Sequence, residues 1–430
     1  MVNTDILSFG WVIFAVMVGV FLFAAFYKRQ PIGISLLFGA IAGSIVSQNG
    51  LPVRHLVEGI FTYFDPILII FTAMLFMKVI DANGALKSLA GLIVQKFSKR
   101  PILFVLIITL FIMFPAMLTG ITTTSVLTTG ALMAPVMIAL GIPVINTAAM
   151  VALVSLMGMV APPINLLVML IGQGVDMPYI GFEGPLAAMA FPLAIITSFA
   201  LSYKYIKNAD YDKALKFISK GSSAVPSFKL FLPLIVVFVL MISVRLFNRV
   251  MPDIGAPLIF VIGAIIGIFT GSKISIHKVA YRSLITGLPV IGLLAGIGAF
   301  LQIMTLTGVR GLLVVTVLSL PVVLTYIGLL ISLPVFGGVS AFASAMVFGI
   351  PFLLSLLGNN EIVICSGIAM LAALGDVLPP SAIEARFGAQ IVGEKSFMKV
   401  VIKCLPFTAL FALVGLAVIY FSNALSFLTP

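Results

Sequence analysis

Apolar runs long enough to enter a bilayer recur from one end of this chain to the other, separated by short, mostly basic loops. They lie near 7–26, 32–46, 66–80, 102–117, 121–140, 146–171, 185–203, 230–246, 256–270, 288–306, 312–333, 341–357, 362–378 and 401–421. Inside lipid a backbone N–H or C=O finds no water, so such a chain must close its backbone hydrogen bonds within helices. The 430 residues are 62% hydrophobic and 9% charged, with mean hydropathy +1.28, more apolar than a water-soluble core requires. At roughly 20 apolar residues per crossing, the expected fold is an all-α polytopic membrane protein of about 11–12 transmembrane helices plus two re-entrant helical hairpins. The expected location is the cell inner (cytoplasmic) membrane, crossed many times.

The net charge of +11 would suggest nucleic acid for a soluble protein. Here Lys and Arg sit in the loops, where they set topology and meet anionic headgroups of the lipid bilayer, so nucleic acid is not expected. The first apolar run has no basic segment before it and no small-residue cleavage site after it, and reads as a retained helix. Cys365 and Cys404 lie in apolar runs, and His55 and His277 lie far apart in polar loops. No disulfide framework, metal-ligand cluster or cofactor is expected.

One long polar stretch, 204–229, divides the chain into a first repeat (1–203), a basic amphipathic linker and a second repeat (230–430). Sliding the second half back by 217 positions places Gly337, Gly358, Gly375, Pro379 and Pro380 on Gly120, Gly141, Gly158, Pro162 and Pro163, and Arg245 on Lys28. This coincidence argues for an internal duplication of inverted topology, the ground plan of many secondary transporters. Each half carries one run that is poor as a lipid-facing helix. The run at 121–140 opens with Thr122, Thr123, Thr124 and Ser125, and its counterpart carries Gly338, Ser340, Ser344 and Pro351. Re-entrant hairpins are expected at 119–141 and 336–358, and broken helices at 146–171 and 361–381, because irregular backbone survives at membrane depth only when buried or lining a cavity.

Two composite motifs carry the candidate chemistry. In the first, Gly120 and Thr122 to Ser125 are followed by Pro162, Pro163 and Asn165; in the second, Gly337, Gly338, Ser340 and Ser344 are followed by Gly375, Asp376, Pro379, Pro380 and Ser381. A proline removes an N–H and frees a carbonyl one turn earlier. Such carbonyls, with hydroxyls and an amide, suit a sodium ion, and half-helix N-termini favour an anion. The expected sodium ligands are Thr124, Ser125, Asn165, Ser340, Ser344 and Ser381. Taken singly, a Ser or Thr in a membrane helix more commonly bonds a neighbouring helix. Asp376 is the most embedded carboxylate, and reads as cation ligand, proton carrier or helix cap. Glu384 and Arg386 read as a local surface pair or a substrate contact, Asp65 and Asp81 as helix-end residues, and Arg310 as an interfacial anchor.

The run TGITTTSVLTTGALMAPVMIALGIPVINTAAMVALVSLMGMVAPPINLLVMLIG, together with the stretch from Gly337 to Ser381, resembles the large membrane (M) subunit of the tripartite ATP-independent periplasmic (TRAP) transporters, within the ion transporter superfamily. Two departures stand out. Thr122 to Ser125 replace a Ser/Ala/Asp-containing stretch, and Asp376 falls where a small or hydrophobic residue is usual. The resemblance implies an elevator-type transporter importing a small organic anion, a C4-dicarboxylate or sugar acid, with a sodium gradient. It also implies a small four-helix membrane subunit and a periplasmic or extracytoplasmic binding protein as partners.

Other classes fit less well. Leu374, Gly375 and Asp376 approach the motif of intramembrane aspartyl proteases, but the partner carboxylate would have to be Asp65 at a helix edge. No catalytic residue is expected, since no nucleophile pairs with a histidine in an apolar run. No phosphate-binding Gly-x-x-x-x-Gly-Lys loop is present for ATP-driven transport. A channel also uses hydroxyl-lined loops, yet two such loops in a duplicated chain favour alternating access. A stand-alone sodium- or proton-coupled carboxylate carrier shares the fold and ion sites and differs in its partners.

Overall fold

The structure is a computed structural model and describes residues 4–97, 100–207, 228–246, 252 and 254–429. Most of the expected basic linker, 208–227, lies outside the described residues. Among those residues the chain is helical throughout and holds no sheet. Six helices are long and apolar enough to cross a bilayer, and a seventh span is formed if Val53–Thr62 and Phe64–Ala82, bent by 50° at Tyr63, count as one. Ile32–Val46, Gly255–Phe269, Val322–Gly337 and other apolar helices are shorter. At 1.5 Å per residue a helix of about 15 residues covers some 23 Å, less than the roughly 30 Å bilayer core.

Two bundles share the chain. In the first, the long helix Ile276–Leu306 packs along Ile32–Val46, Val53–Thr62 and Phe64–Ala82, with Thr4–Leu22, Leu232–Leu246 and Gly255–Phe269 around them. Glycine makes this packing possible. A Cβ on Gly296 would stand 2.1 Å from the Gly33 carbonyl oxygen, and one on Gly298 2.2 Å from that of Gly59, so the helix backbones touch directly.

The second bundle is built from two hairpins and two broken helices. Pro101–Thr119 turns back into a second limb, Thr122–Ala139, and Val322–Gly337 turns back into Ala341–Ser355. Val144–Val160, then Leu166–Gln173, form one broken helix; Glu361–Ala373, then Ile383–Val392, form the other. Every residue from Thr147 to Val160 and from Val363 to Ala373 is buried, so these two apolar helices are the bundle's core. Glu183–Ile206 and Phe397–Tyr420 flank it. The hairpins sit differently from the sequence expectation. The stretches 119–141 and 336–358 do not fold back within themselves but supply the second limbs, with the reversals at Gly120–Ile121 and at 338–340. Gly120 permits the first reversal with φ +64, whereas at the second Ser340 is extended, with φ −163.

Two helices link the bundles. Ala85–Phe97 touches Phe64–Ala82 on one side and Pro101–Thr119 on the other, while Val309–Leu318 touches Thr4–Leu22, Ile276–Leu306 and Ile350–Ser355. The same order of elements occurs twice. Broken-helix segments start 217 positions apart, at Val144 and Glu361 and at Leu166 and Ile383; the second hairpin limbs start 219 apart, at Thr122 and Ala341.

Outward faces are apolar. Val323, Ile327, Ile331 and Val335 form an exposed i, i+4 stripe on their helix, a surface that suits lipid or another membrane helix rather than water. The protein is therefore a multi-pass membrane protein. The glycine contacts make a direct prediction. Gly296→Ala will lower the thermal midpoint in detergent by the equivalent of about 1–3 kcal/mol, the usual cost of overpacking. Gly292→Ala, one turn away with open space at its Cβ, will leave it unchanged.

Candidate functional site

The two hairpin reversals and the two Pro-Pro breaks meet inside the second bundle, and each has its loose backbone groups patched by specific residues. In the first hairpin Pro115 interrupts the ladder of Pro101–Thr119. Ser125 Oγ accepts from the Ala116 N–H at 2.7 Å and donates to the Met113 carbonyl at 3.4 Å, so this hydroxyl repairs the gap left by the proline. In the second hairpin Pro334 sits ten residues before Ser344, as Pro115 sits ten before Ser125, and Ser344 Oγ donates to the Leu333 carbonyl at 2.7 Å. A short π-helical turn follows each serine, Val126–Gly130 and Ala345–Gly349.

The Pro-Pro breaks are tied to their own hairpins. Ile164 N–H donates to the Met117 carbonyl at 3.2 Å, and Ser381 N–H donates to the Gly338 carbonyl at 2.9 Å, reinforced by Ser381 Oγ at 2.5 Å. Both the Pro162–Pro163 and Pro379–Pro380 bonds are cis. Asn165 is wholly buried: its Oδ1 caps Leu166–Gln173 by accepting from Val168 N–H at 3.0 Å, and its Nδ2 donates to the Val160 carbonyl at 2.9 Å. Tyr179 adds a clamp, its hydroxyl accepting from Asn165 N–H and donating to the Pro163 carbonyl. Ser340 caps the second reversal by accepting from Ala343 N–H at 3.3 Å.

The glycines of the motifs serve close approach. A Cβ on Gly375 would lie 1.9 Å from the Gly337 carbonyl carbon, one on Gly158 2.6 Å from the Met113 carbonyl oxygen, and one on Gly338 2.4 Å from the Pro379 carbonyl oxygen. Gly120, at positive φ, faces the Leu166 side chain. These residues position the reversals against the broken helices rather than offering groups to a ligand.

At the centre, two side-chain hydrogen bonds cross from the first half to the second. Thr122 Oγ1 donates to Asp376 Oδ2 at 3.1 Å, and the neighbouring Thr123 Oγ1 donates to Glu384 Oε1 at 2.8 Å. Asp376 is 8% exposed and Glu384 1%, and Glu384 Oε2 has no hydrogen-bond partner. The sequence expectation of a Glu384–Arg386 surface pair is not met. Arg386 instead stacks over the Phe397 ring at 4.2 Å and donates to the Pro380 carbonyl at 3.3 Å. Glu384 turns inward because its helix, Ile383–Val392, begins directly after the break and lies against Val144–Val160. Burying a carboxylate costs several kcal/mol, and a hydrogen bond to a charged group contributes about 1.5–3 kcal/mol. The two threonines, with the Ala341 N–H on Asp376, therefore do not offset the burial of two neighbouring negative charges.

Elsewhere, Asp65 is exposed in the first turn of Phe64–Ala82, remote in the chain from the hairpins. Arg310, on the linking helix Val309–Leu318, donates to the Gly174 carbonyl at the C-terminal end of Leu166–Gln173, where a cation complements the helix dipole. Among the described residues no group of three or more His, Cys, Asp or Glu could hold a metal ion. The helix starts at Thr122, Leu166 and Ile383 all lie at reversals or breaks, so the centre of the bundle presents N-terminal partial positive charge beside hydroxyls and carboxylates. Such an arrangement can hold a small anion and small cations without covalent chemistry.

A family model described as "Tripartite ATP-independent periplasmic transporter, DctM component" matches residues 18–424. No curated protein matches the chain. Among solved structures, the crystal structure of the Alcanivorax borkumensis YdaH transporter, described as having an unusual topology, is similar with TM-score 0.59 and 17% identity, covering 88% of this chain and 90% of that one. At that identity the likeness is one of fold. The match across nearly the whole chain is decisive: the protein belongs to the DctM family, the large membrane component of the tripartite ATP-independent periplasmic transporters.

Proposed function

We propose that the protein imports a small organic anion, a C4-dicarboxylate or sugar acid, across the inner membrane, driven by a sodium gradient and fed by an extracytoplasmic binding protein, with a small four-helix membrane subunit beside it. The observation that carries this reading is the meeting of two capped hairpin reversals and two Pro-Pro breaks inside a buried bundle, in a chain whose family is tripartite. Irregular backbone at that depth is costly and suits a binding centre.

In this reading the helix N-termini attract the anion and the carbonyls and hydroxyls hold sodium. Of the expected sodium ligands, Ser125, Ser344 and Ser381 donate their O–H to backbone carbonyls, and the Asn165 side chain is engaged on both its atoms. Sodium takes a hydroxyl's lone pairs rather than its proton, so Ser344 and Ser381 can serve it while donating, as can Thr124 and Ser340, the last of which accepts one bond from Ala343 N–H. The second bundle moves against the first in an elevator stroke, and the linking helices Ala85–Phe97 and Val309–Leu318 absorb the displacement.

Reconstituted into proteoliposomes with its partners, the protein will take up labelled carboxylates or sugar acids only with an inward sodium gradient and the binding protein. Uptake by the chain alone would assign it to stand-alone carriers instead. Within that assay, Ser340→Ala will raise the sodium concentration needed for half-maximal uptake. Asn165→Ala will instead lower the thermal midpoint by the equivalent of about 1–2 kcal/mol, the cost of a lost helix cap. Unchanged sodium activation in Ser340→Ala would remove that hydroxyl from the ion site.

A further inference from the structure

We propose that the buried carboxylates Asp376 and Glu384 form a proton-binding site, whose proton exchanges with solvent during the transport cycle. The juxtaposition is specific. Threonines on consecutive positions of one hairpin reversal reach one carboxylate each, Thr122 to Asp376 and Thr123 to Glu384, across the break of the opposite half. Both carboxylates are buried, and Glu384 Oε2 is enclosed without a partner. Two like charges brought together out of water do not both ionise, and the lone buried oxygen of Glu384 is where a proton completes the arrangement.

No other charge on the packed elements takes the proton's place. The first hairpin's second limb, the helix Val144–Val160 and the second reversal around Ala341–Ser344 carry no ionisable side chain. On Ile383–Val392, Arg386 is committed to Phe397 and the Pro380 carbonyl. On Phe397–Tyr420, Lys399 pairs with Glu394 at 3.3 Å, Lys403 lines an outer groove with Ile145 and Ala200, Cys404 is buried and Tyr420 meets the Tyr326 ring edge-on. Glu361 and Cys365 lie in the first half of their helix, away from the break at its end.

The site deepens the transporter reading by adding a second coupling ion, yet it is tested first without transport. Infrared difference spectra of the full chain in lipid nanodiscs will show, at neutral pH, the C=O stretch of a buried carboxylic acid. Glu384→Gln will abolish it, and Asp376→Asn will shift or abolish it. Should Glu384→Gln fail to fold, Thr123→Val, which removes one donor from Glu384, will move the band instead. In proteoliposomes containing a pH dye, uptake by the wild type will acidify the lumen, and Asp376→Asn will lose that acidification. Absence of the band from the wild type, its survival unchanged in every variant, or uptake that moves no protons overturns the proposal. Sodium and binding-protein dependence are read in separate arms, so their failure bears on the transporter reading and leaves the infrared result standing.

Discussion

Backbone hydrogen bonding inside the bilayer is the constraint on which the rest of this structure depends. A transport centre requires helices to break at depth, and each break exposes N–H and C=O groups that lipid will not satisfy. Here the repairs are local and repeated. Ser125 and Ser344 bridge the prolines of the two hairpins, Asn165 and Ser340 cap the helices that restart, and Ser381 bonds back to Gly338. Few exposed polar groups remain, so those that are left unpaired in the centre carry meaning.

The same constraint explains the division into two bundles. The scaffold uses glycine-faced helices whose backbones meet with no side chain between, as at Gly33 and Gly296, and such contacts resist sliding. The hairpin bundle instead surrounds two fully buried apolar helices with re-entrant limbs, and is joined to the scaffold by Ala85–Phe97 and Val309–Leu318. Arg310 adds a polar tie from the second linking helix to the end of Leu166–Gln173. The bundles also meet directly, where Phe64–Ala82 lies against Pro101–Thr119 and the rings of Phe21 and Phe336 stand 6.1 Å apart.

Much of this was legible in the sequence. The succession of apolar runs specifies a helical membrane protein, and the paired Gly and Pro-Pro positions locate the centre. The hairpin limbs were less legible, because the turn at Gly120 depends on a backbone angle and the hydroxyl-rich segment after it is helical once Ser125 and Thr129 find carbonyls on the opposite limb. Side-chain roles were least legible. Asn165 looks like an ion ligand by type, yet both its polar atoms hold the Pro-Pro turn together. Glu384 hides in the polar-looking stretch after the second break, where adjacency to Arg386 suggests a surface pair; only the packing of Ile383–Val392 turns it inward. Its separation of eight positions from Asp376, across a break rather than along one helix, gives no periodic signal.

The composition of the centre bears on the order of events in transport. Arg386 and Arg310 are both committed to backbone carbonyls, so positive charge for an anion comes from helix N-termini and from whatever cations the site has bound. Beside those N-termini lie Asp376 and Glu384, which repel an anion while either is charged. In the proposed transporter a proton on the pair would lower that repulsion, and sodium near the reversals would replace it with attraction. On this reading cation loading precedes anion binding, because the empty centre opposes the substrate and the loaded centre attracts it. The two threonines that reach across from the first half bond directly to both carboxylates, so a proton gained by the pair would change contacts at the tip of the first hairpin as well as at the second break.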